Sequence, residues 1–172
     1  MADPTVLGLD LSLTGTGIAY PDGSTTTIRT RFADGDRRLL HIQAAIADAL
    51  DPDIRLVVLE DLPTHAKSAG ITGMVHGAVR AVLLDHGVPY VLLAPATLKA
   101  YATGRGNADK TAMAVAALKR ADVEFGDDNQ CDAWWCRAAG LDRLGTPPVA
   151  LPQVQRDRLD KATWPTILAE VA

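Results

Sequence analysis

Three acidic residues stand where a carboxylate has chemistry available to it. Asp10 interrupts the apolar run Thr5 to Leu11 (TVLGLDL), and a lone carboxylate is costly to bury unless a metal ion or a donor takes up its charge. Glu60 ends the apolar run Ile54 to Glu60 (IRLVVLE), which would set it at the carboxyl edge of a sheet, where open α/β folds place their sites. Asp132 falls in the first turn of a helix rich in Ala, Trp, Cys and Leu, with Asn129 three residues before it on the same face. That spacing lets both side chains reach one ion from a helix N-terminus. Each acid alone also has an ordinary use: closing a hairpin, ending an exposed strand, or complementing a helix dipole.

Around these acids the charge is uneven. The net charge is −4, unlike most nucleic-acid-binding domains, whose overall field is positive. Yet Lys99 to Arg120 holds Lys99, Arg105, Lys110, Lys119 and Arg120 against Asp109 alone, while Asp122 to Asp132 holds five acids and no base. A basic strip beside an acidic cluster is what a metal-dependent nuclease needs. After Asp10, Leu-Ser-Leu-Thr-Gly-Thr-Gly offers hydroxyls such as that of Thr14, backbone N–H groups, and two glycines where a phosphate backbone could approach. Arg105, set between Gly104 and Gly106, is a candidate phosphate contact; Lys67 and Arg80 are further ones that surface solvation explains equally well.

Stepping outward, Thr5 to Leu11, Gly15 to Tyr20 and Ser24 to Phe32 read as three successive strands. Asp36 can cap a helix to about Leu50, which Asp51-Pro52 stops. Ile54 to Glu60 is apolar on both faces, as a central strand covered on each side should be. A polar loop from Pro63 to Gly70 leads into a helix to about His86. Its Gly70, Gly73 and Gly77 each cost about 1 kcal/mol against alanine, which close packing or a subunit contact would offset. Val88 to Leu93 returns as a strand, Pro95 opens a short helix through Tyr101, Asn107 is placed to cap a helix to Arg120, and Asn129 or Asp128 to cap a last helix to Leu144. The order βββαβαβαα suits a mixed five-stranded sheet with helices on both faces, one α/β plan among several. The domain is expected over residues 1–145, with a proline-broken tail over 146–172.

Composition narrows the class. With 48% apolar and 5% aromatic residues, the core must rest on Ala, Val, Leu and Ile. No apolar run approaches the roughly 18 residues of a membrane span, and no basic segment precedes an apolar one at the N-terminus, so a cytoplasmic protein is expected. Cys131 and Cys136 are spaced for neither a disulfide nor a zinc knuckle. His65, His76 and His86 lack ligand spacing, and Trp134 and Trp135 read as anchors of the last helix rather than base-stacking groups.

The combination is more specific than its parts. GLDLSLTGTGIAY at 8–20, VVLED at 57–61, Lys99 and Lys110 within LKAYATGRGNADK, and NQCDAWW at 129–135 resemble the RuvC family of Holliday-junction resolvases, particularly its phage members, over residues 8–140. The resemblance implies an RNase H-like fold, a homodimer, and cleavage of branched DNA with two Mg2+ or Mn2+ ions. It makes Asp10, Glu60 and Asp132 metal ligands, with Asn129 or Asp128 the fourth, and Lys99 and Lys110 DNA contacts, Lys110 nearest the scissile phosphate. Two ions about 3.5–4 Å apart would activate water and stabilise the departing 3′-oxygen, leaving 5′-phosphate and 3′-hydroxyl ends.

Two departures accompany it. Asn129 stands where bacterial RuvC has an aspartate, and Leu62 to Ala69 lacks the aromatic residue thought to enter the junction centre. The rival expectations are a nuclease acting on flapped, forked or single-stranded DNA or on RNA precursors, a DNA-binding protein with a decayed site, and an actin-like ATP-binding module. The last needs two such domains to enclose its nucleotide, so neither a nucleotide cofactor nor a membrane partner is expected.

Overall fold

In a computed structural model, described over residues 5–62 and 69–166, the first three strands are β1 (Thr5–Asp10), β2 (Gly15–Ala19) and β3 (Thr25–Arg29). They form an antiparallel meander whose turns are closed locally. The Thr16 hydroxyl donates to the Ser12 carbonyl at 2.7 Å and accepts from the Ser12 N–H at 3.2 Å, and Asp22 accepts from the Ser24 N–H at 2.8 Å. β3 stops at Arg29 rather than running to Phe32; residues Phe32–Asp34 form a 3-10 turn. The alternation of threonines that marks the strand ends there, and Gly35 takes a positive φ of 53° that turns the chain away.

Helix α1 (Arg37–Ala49) then leads into β4 (Ile54–Glu60), which pairs parallel with β1, and α2 (Ala69–Asp85) into β5 (Tyr90–Leu93), parallel with β4. The sheet order is β3-β2-β1-β4-β5. Helices α3 (Pro95–Thr103), α4 (Lys110–Ala121) and α5 (Asp128–Arg143) follow, then the single turn α6 (Gln153–Arg156). The short helix opened by Pro95 runs two residues further than expected, to Thr103, and makes three helices after β5 where the order βββαβαβαα counts two.

Residue alternation sorts the core into two layers. Leu7, Leu9, Val57 and Leu59 face Ile42, Ile46, Val75, Val79 and Leu83 of α1 and α2. Val6, Leu56, Val58 and Val91 face Trp135, Ala139 and Tyr101 of α5 and α3. Trp134 and Trp135 are both buried, and the Trp135 indole donates to the Met113 carbonyl at 3.2 Å, so both anchor α5 as expected. The stretch after Thr146 docks on the α3 and α5 layer through buried Val149 and Leu159. There Gln155 Nε2 donates to the Tyr101 carbonyl at 3.0 Å.

Three caps differ from expectation. Asp36 stands before α1, but its side chain accepts no capping hydrogen bond. α4 is capped by Asp109, which accepts from the Ala112 N–H at 2.8 Å, rather than by Asn107. α5 is capped by Asp127, which accepts from the Gln130 N–H at 3.0 Å, rather than by Asn129 or Asp128. Asp127 wins because β3 fixes it: Thr27 Oγ1 donates to its Oδ2 at 2.7 Å and Arg29 reaches the same oxygen at 2.7 Å. That choice moves Asp128 and Asn129 inside the first turn.

Candidate metal centre

The parallel register of β1 and β4 decides where two of the acids go. Leu9 pairs with Leu59, so the next residues, Asp10 and Glu60, lie side by side at the carboxyl ends of neighbouring strands. Each is two residues beyond a residue that faces α5, Gly8 and Val58, so alternation points both carboxylates to the α5 side. Asp61 points the other way, toward α2, where its charge acts on the buried His76.

α5 lies pressed onto that face by missing side chains. A Cβ at Gly8 would stand 2.1 Å from the Ala133 carbonyl oxygen, and one at Gly17 2.1 Å from that of Asn129. The two glycines of the Thr-Gly-Thr-Gly stretch are therefore approach points for a helix: Gly15 and Gly17 are buried and both face Asn129, so no phosphate backbone reaches them. Thr16 is consumed by its own turn, while Thr14 stays exposed. The sequence signal was present, since glycines at 8 and 17 flank the acid, but only the packing says what they admit.

This contact lowers Asp132 onto the strand ends. Carboxylate oxygens of Asp10, Glu60 and Asp132 all lie within 4.8 Å of one another. None of the three makes a salt bridge among the described residues. Burial raises the Asp10 carboxyl to about 7, with Asp132 adding to the rise. Burial and then the charges of Asp10 and Asp132 raise Glu60 to about 9. Asp132 is raised by burial but relieved by Lys110 and Lys99. Three acids left together in a poorly solvated spot, without a counterion, are a donor set for a hard divalent cation such as Mg2+ or Mn2+.

The other expected residues distribute around this centre. Lys99 on α3 and Lys110 at the start of α4 both act on the cluster: Lys99 lowers Glu60 and Asp132, Lys110 lowers Asp10 and Asp132. Lys110 also pairs with Asp128, which stands outside the group of converging carboxylates. Asn129 lies at the mouth of the β1–β2 hairpin, its amide against Gly15. Arg105 is exposed in the α3–α4 link, whose backbone is held by Thr103 Oγ1 at 3.2 Å. Arg80 instead bonds the Tyr90 hydroxyl at 3.0 Å, and Lys67 lies outside the described residues, as does His65. Cys131 and Cys136 are free and buried, and burial pushes the Cys131 thiol up to about 12, so neither is a nucleophile. Among the described residues no helix is long and apolar enough to cross a membrane.

No family model matches the chain. The crossover junction endodeoxyribonuclease RuvC of Paenarthrobacter aurescens (strain TC1) is 33% identical over an alignment of 123 positions, spanning 63% of this chain and 64% of that protein, a little under two thirds of its length. Thermus thermophilus RuvC superposes with a TM-score of 0.65 at 21% identity, covering 83% of this chain and 97% of that one. The same protein in complex with a Holliday junction substrate gives a TM-score of 0.69 at 22% identity, with the same coverage. The chain is RuvC-like in sequence and in fold. Its architecture is thus the RNase H-like fold that RuvC adopts, with the mixed sheet ordered as above. In that RuvC-like frame the acidic cluster sits at the carboxyl ends of β1 and β4, under the N-terminal turns of α5.

Proposed function

We propose that this chain is a metal-dependent endodeoxyribonuclease of the RuvC family that cleaves branched DNA, Holliday junctions included. The observation that carries the reading is the convergence of Asp10, Glu60 and Asp132, half-buried and without a paired cation among the described residues, in a RuvC-like fold. These three hold the metal, and Asn129 is the fourth ligand, since Asp128 is engaged by Lys110. A bound pair of Mg2+ or Mn2+ ions supplies an activated water and charge stabilisation at phosphorus.

The rest is done by the chain itself. Lys110 and Lys99 neutralise charge on the phosphate that enters beside the cluster, with Lys110 oriented by Asp128. Arg105, Thr14 and Lys67 hold the flanking backbone, Thr14 and Arg105 from exposed positions on the turns bordering the site. Cleavage leaves 5′-phosphate and 3′-hydroxyl ends. α2 supports a homodimer: Gly70 and Gly77 have open space where a side chain would be, and Ile71, Met74 and Leu84 are exposed on the same helix. Assignment to the phage-type members rests on the matched stretches at 8–20 and 129–135, and such an enzyme works in the bacterial cytoplasm. The lack of an aromatic residue in Leu62 to Ala69 favours a second reading within the same chemistry, action on forks or flaps as well as four-way junctions.

The test is incubation of purified protein with matched four-way, Y-fork, flap, duplex and single-stranded DNA in Mg2+ or Mn2+. Paired symmetric nicks on the four-way junction, with 5′-phosphate ends, are expected. Binding without cutting at any divalent-ion concentration would overturn the enzyme reading.

A further inference from the structure

The 3-10 turn after β3 exposes the chain's most solvent-accessible large apolar side chain among the described residues. Phe32 is 88% exposed, in a chain with only two phenylalanines. Between Arg29 and His41 it is surrounded by Arg29, Arg31, Arg37 and Arg38, with Asp34 and Asp36 the only acids, so the segment is locally basic in a chain of net charge −4. The four arginines and His41, with Thr30 and the single acid Asp34, line one concavity beside the turn. Arg29 reaches Asp127 at 2.7 Å and Arg31 lies 3.8 Å from Asp34, yet their side chains remain 71% and 89% exposed. Arg38 Nε donates to the Gly35 carbonyl at 2.7 Å, and its guanidinium sits 5.6 Å from the Phe32 ring centre.

A ring held by a guanidinium rather than by a core is already positioned, and most of its surface stays open. Bases stack on such a ring, and neighbouring arginines take the phosphates on either side. The group shown against the ring is the Arg38 guanidinium, and the segment from Arg29 to His41 carries four arginines against one other exposed large apolar side chain, Leu40.

The position is equally pointed. Arg29 ends β3 opposite Gly15, where β2 begins, so the turn lies at the same end of the sheet as Asp10 and Glu60. Asp10 pairs with Gly17 and Gly17 with Thr27, which puts β3 two strand spacings, roughly 10 Å, from Asp10. Arg29 also binds Asp127, the cap of the helix that carries Asp132. A strand crossing the cluster would meet the turn within roughly 3 to 6 nucleotides at about 3.4 Å per step.

We infer that Phe32, with Arg31, Arg37 and Arg38, forms a second DNA-contact surface that stacks an unpaired base and holds the flanking phosphates of the strand leaving the carboxylate cluster. The inference rests on the nuclease reading for the identity of that strand, but its test needs no cleavage. Labelled four-way junction and Y-fork are titrated with full-length protein in Ca2+. Phe32→Ala should weaken binding about tenfold, and Arg31→Ala with Arg37→Ala by at least as much, with the log–log salt slope smaller by about 2. Single-turnover cleavage in Mg2+ at saturating enzyme should stay within about twofold. Phe32→Trp should keep the affinity, and its added fluorescence should be quenched by DNA. Unchanged affinity and salt slope in the alanine variants, or a tryptophan signal indifferent to DNA, would overturn the inference. Failure of the nuclease reading looks different: the wild type binds DNA in Ca2+ through this surface but cuts none in Mg2+.

Discussion

Helix α5 carries an acid withdrawn from solvent near each end, Asp142 buried and Asp132 half-buried, and the fold treats the two in opposite ways. Asp142, in the last turns, is met by Arg156, whose Nε donates to both carboxylate oxygens at 2.9 and 3.1 Å, and by the Tyr101 hydroxyl at 3.2 Å. The arginine arrives from the segment after Thr146, and Asp142 in turn raises its basicity. Asp132, near the N-terminus, is met by two more acids and pairs with no cation among the described residues. A buried acid kept for structure is given a cation and donors of its own, whereas the cluster is left for a cation from outside.

Glu60→Gln breaks the cluster half of that contrast with the largest effect. It keeps shape and removes one ligand charge, so junction cleavage in Mg2+ should fall by about 10³ or more, while junction binding in Ca2+ stays within about threefold. Metal-free protein should gain stability from the same change above about pH 9, where Glu60 would otherwise be charged beside Asp10 and Asp132. Wild-type cleavage rates in this variant would sink the mechanism.

Asp142→Ala tests the structural half. It strips Arg156 of its partner and leaves the buried Tyr101 hydroxyl with only the Ala138 carbonyl at 3.3 Å. Loss of a fully buried pair costs about 3–5 kcal/mol, but Arg156 is partly exposed, so about 2–3 kcal/mol is expected, or a Tm lower by roughly 4–12 °C. Cleavage per folded molecule should not change. A nuclease defect at unchanged Tm would mean that Asp142 belongs to the chemistry.

Titration separates the two ends next. Asp10 and Glu60 are raised in the folded state, to about 7 and about 9. The folded chain therefore binds more protons than the unfolded one from about pH 4 to pH 9, and stability falls as pH rises through that window. Without divalent ions, Tm should drop by about 5 °C or more between pH 5 and pH 9. Asp10→Asn should flatten the slope, Mg2+ should lift the alkaline end, and Asp142→Ala should leave the slope as it was. A metal-free Tm that rises with pH would contradict the crowding of the three acids.

Much of this was legible before the fold was known, and the residues say why. Asp10, Glu60 and Asp132 stand out because each breaks a local rule of burial, and strand ends and a helix start are places where side chains must converge. The caps were not legible: Asp127, Asp128 and Asn129 are three consecutive residues able to cap a helix, and the choice fell to Thr27 and Arg29 on a strand about 100 residues earlier. Phe32 read as the end of a strand because Ser24 to Phe32 continues the alternation, and only the turn at Gly35 shows it in solvent. The docking of residues 149–159 depends on Asp142 needing a cation, which no local pattern announces. The glycines at 15 and 17 looked like room for a phosphate, and the helix took it.

Asn129→Asp gives the smallest expected effect and the sharpest question about the boundary between structure and chemistry. The residue lies one helical turn before Asp132, with its amide against Gly15 and its carbonyl over Gly17, so an isosteric carboxylate fits without moving the helix. An added negative charge would worsen repulsion with Asp132 and lower the metal-free Tm by about a degree or two. Bound cations would recover that loss and gain a charged ligand, so cleavage should be preserved or rise by up to about tenfold, most visibly at limiting Mg2+. If Asn129 instead uses its NH2 group to hold the β1–β2 hairpin, the aspartate would repel the backbone carbonyls it replaces a donor against, and cleavage would fall at every metal concentration. The dependence on Mg2+ concentration, rather than the rate alone, therefore decides whether this position belongs with Asp132 or with the scaffold.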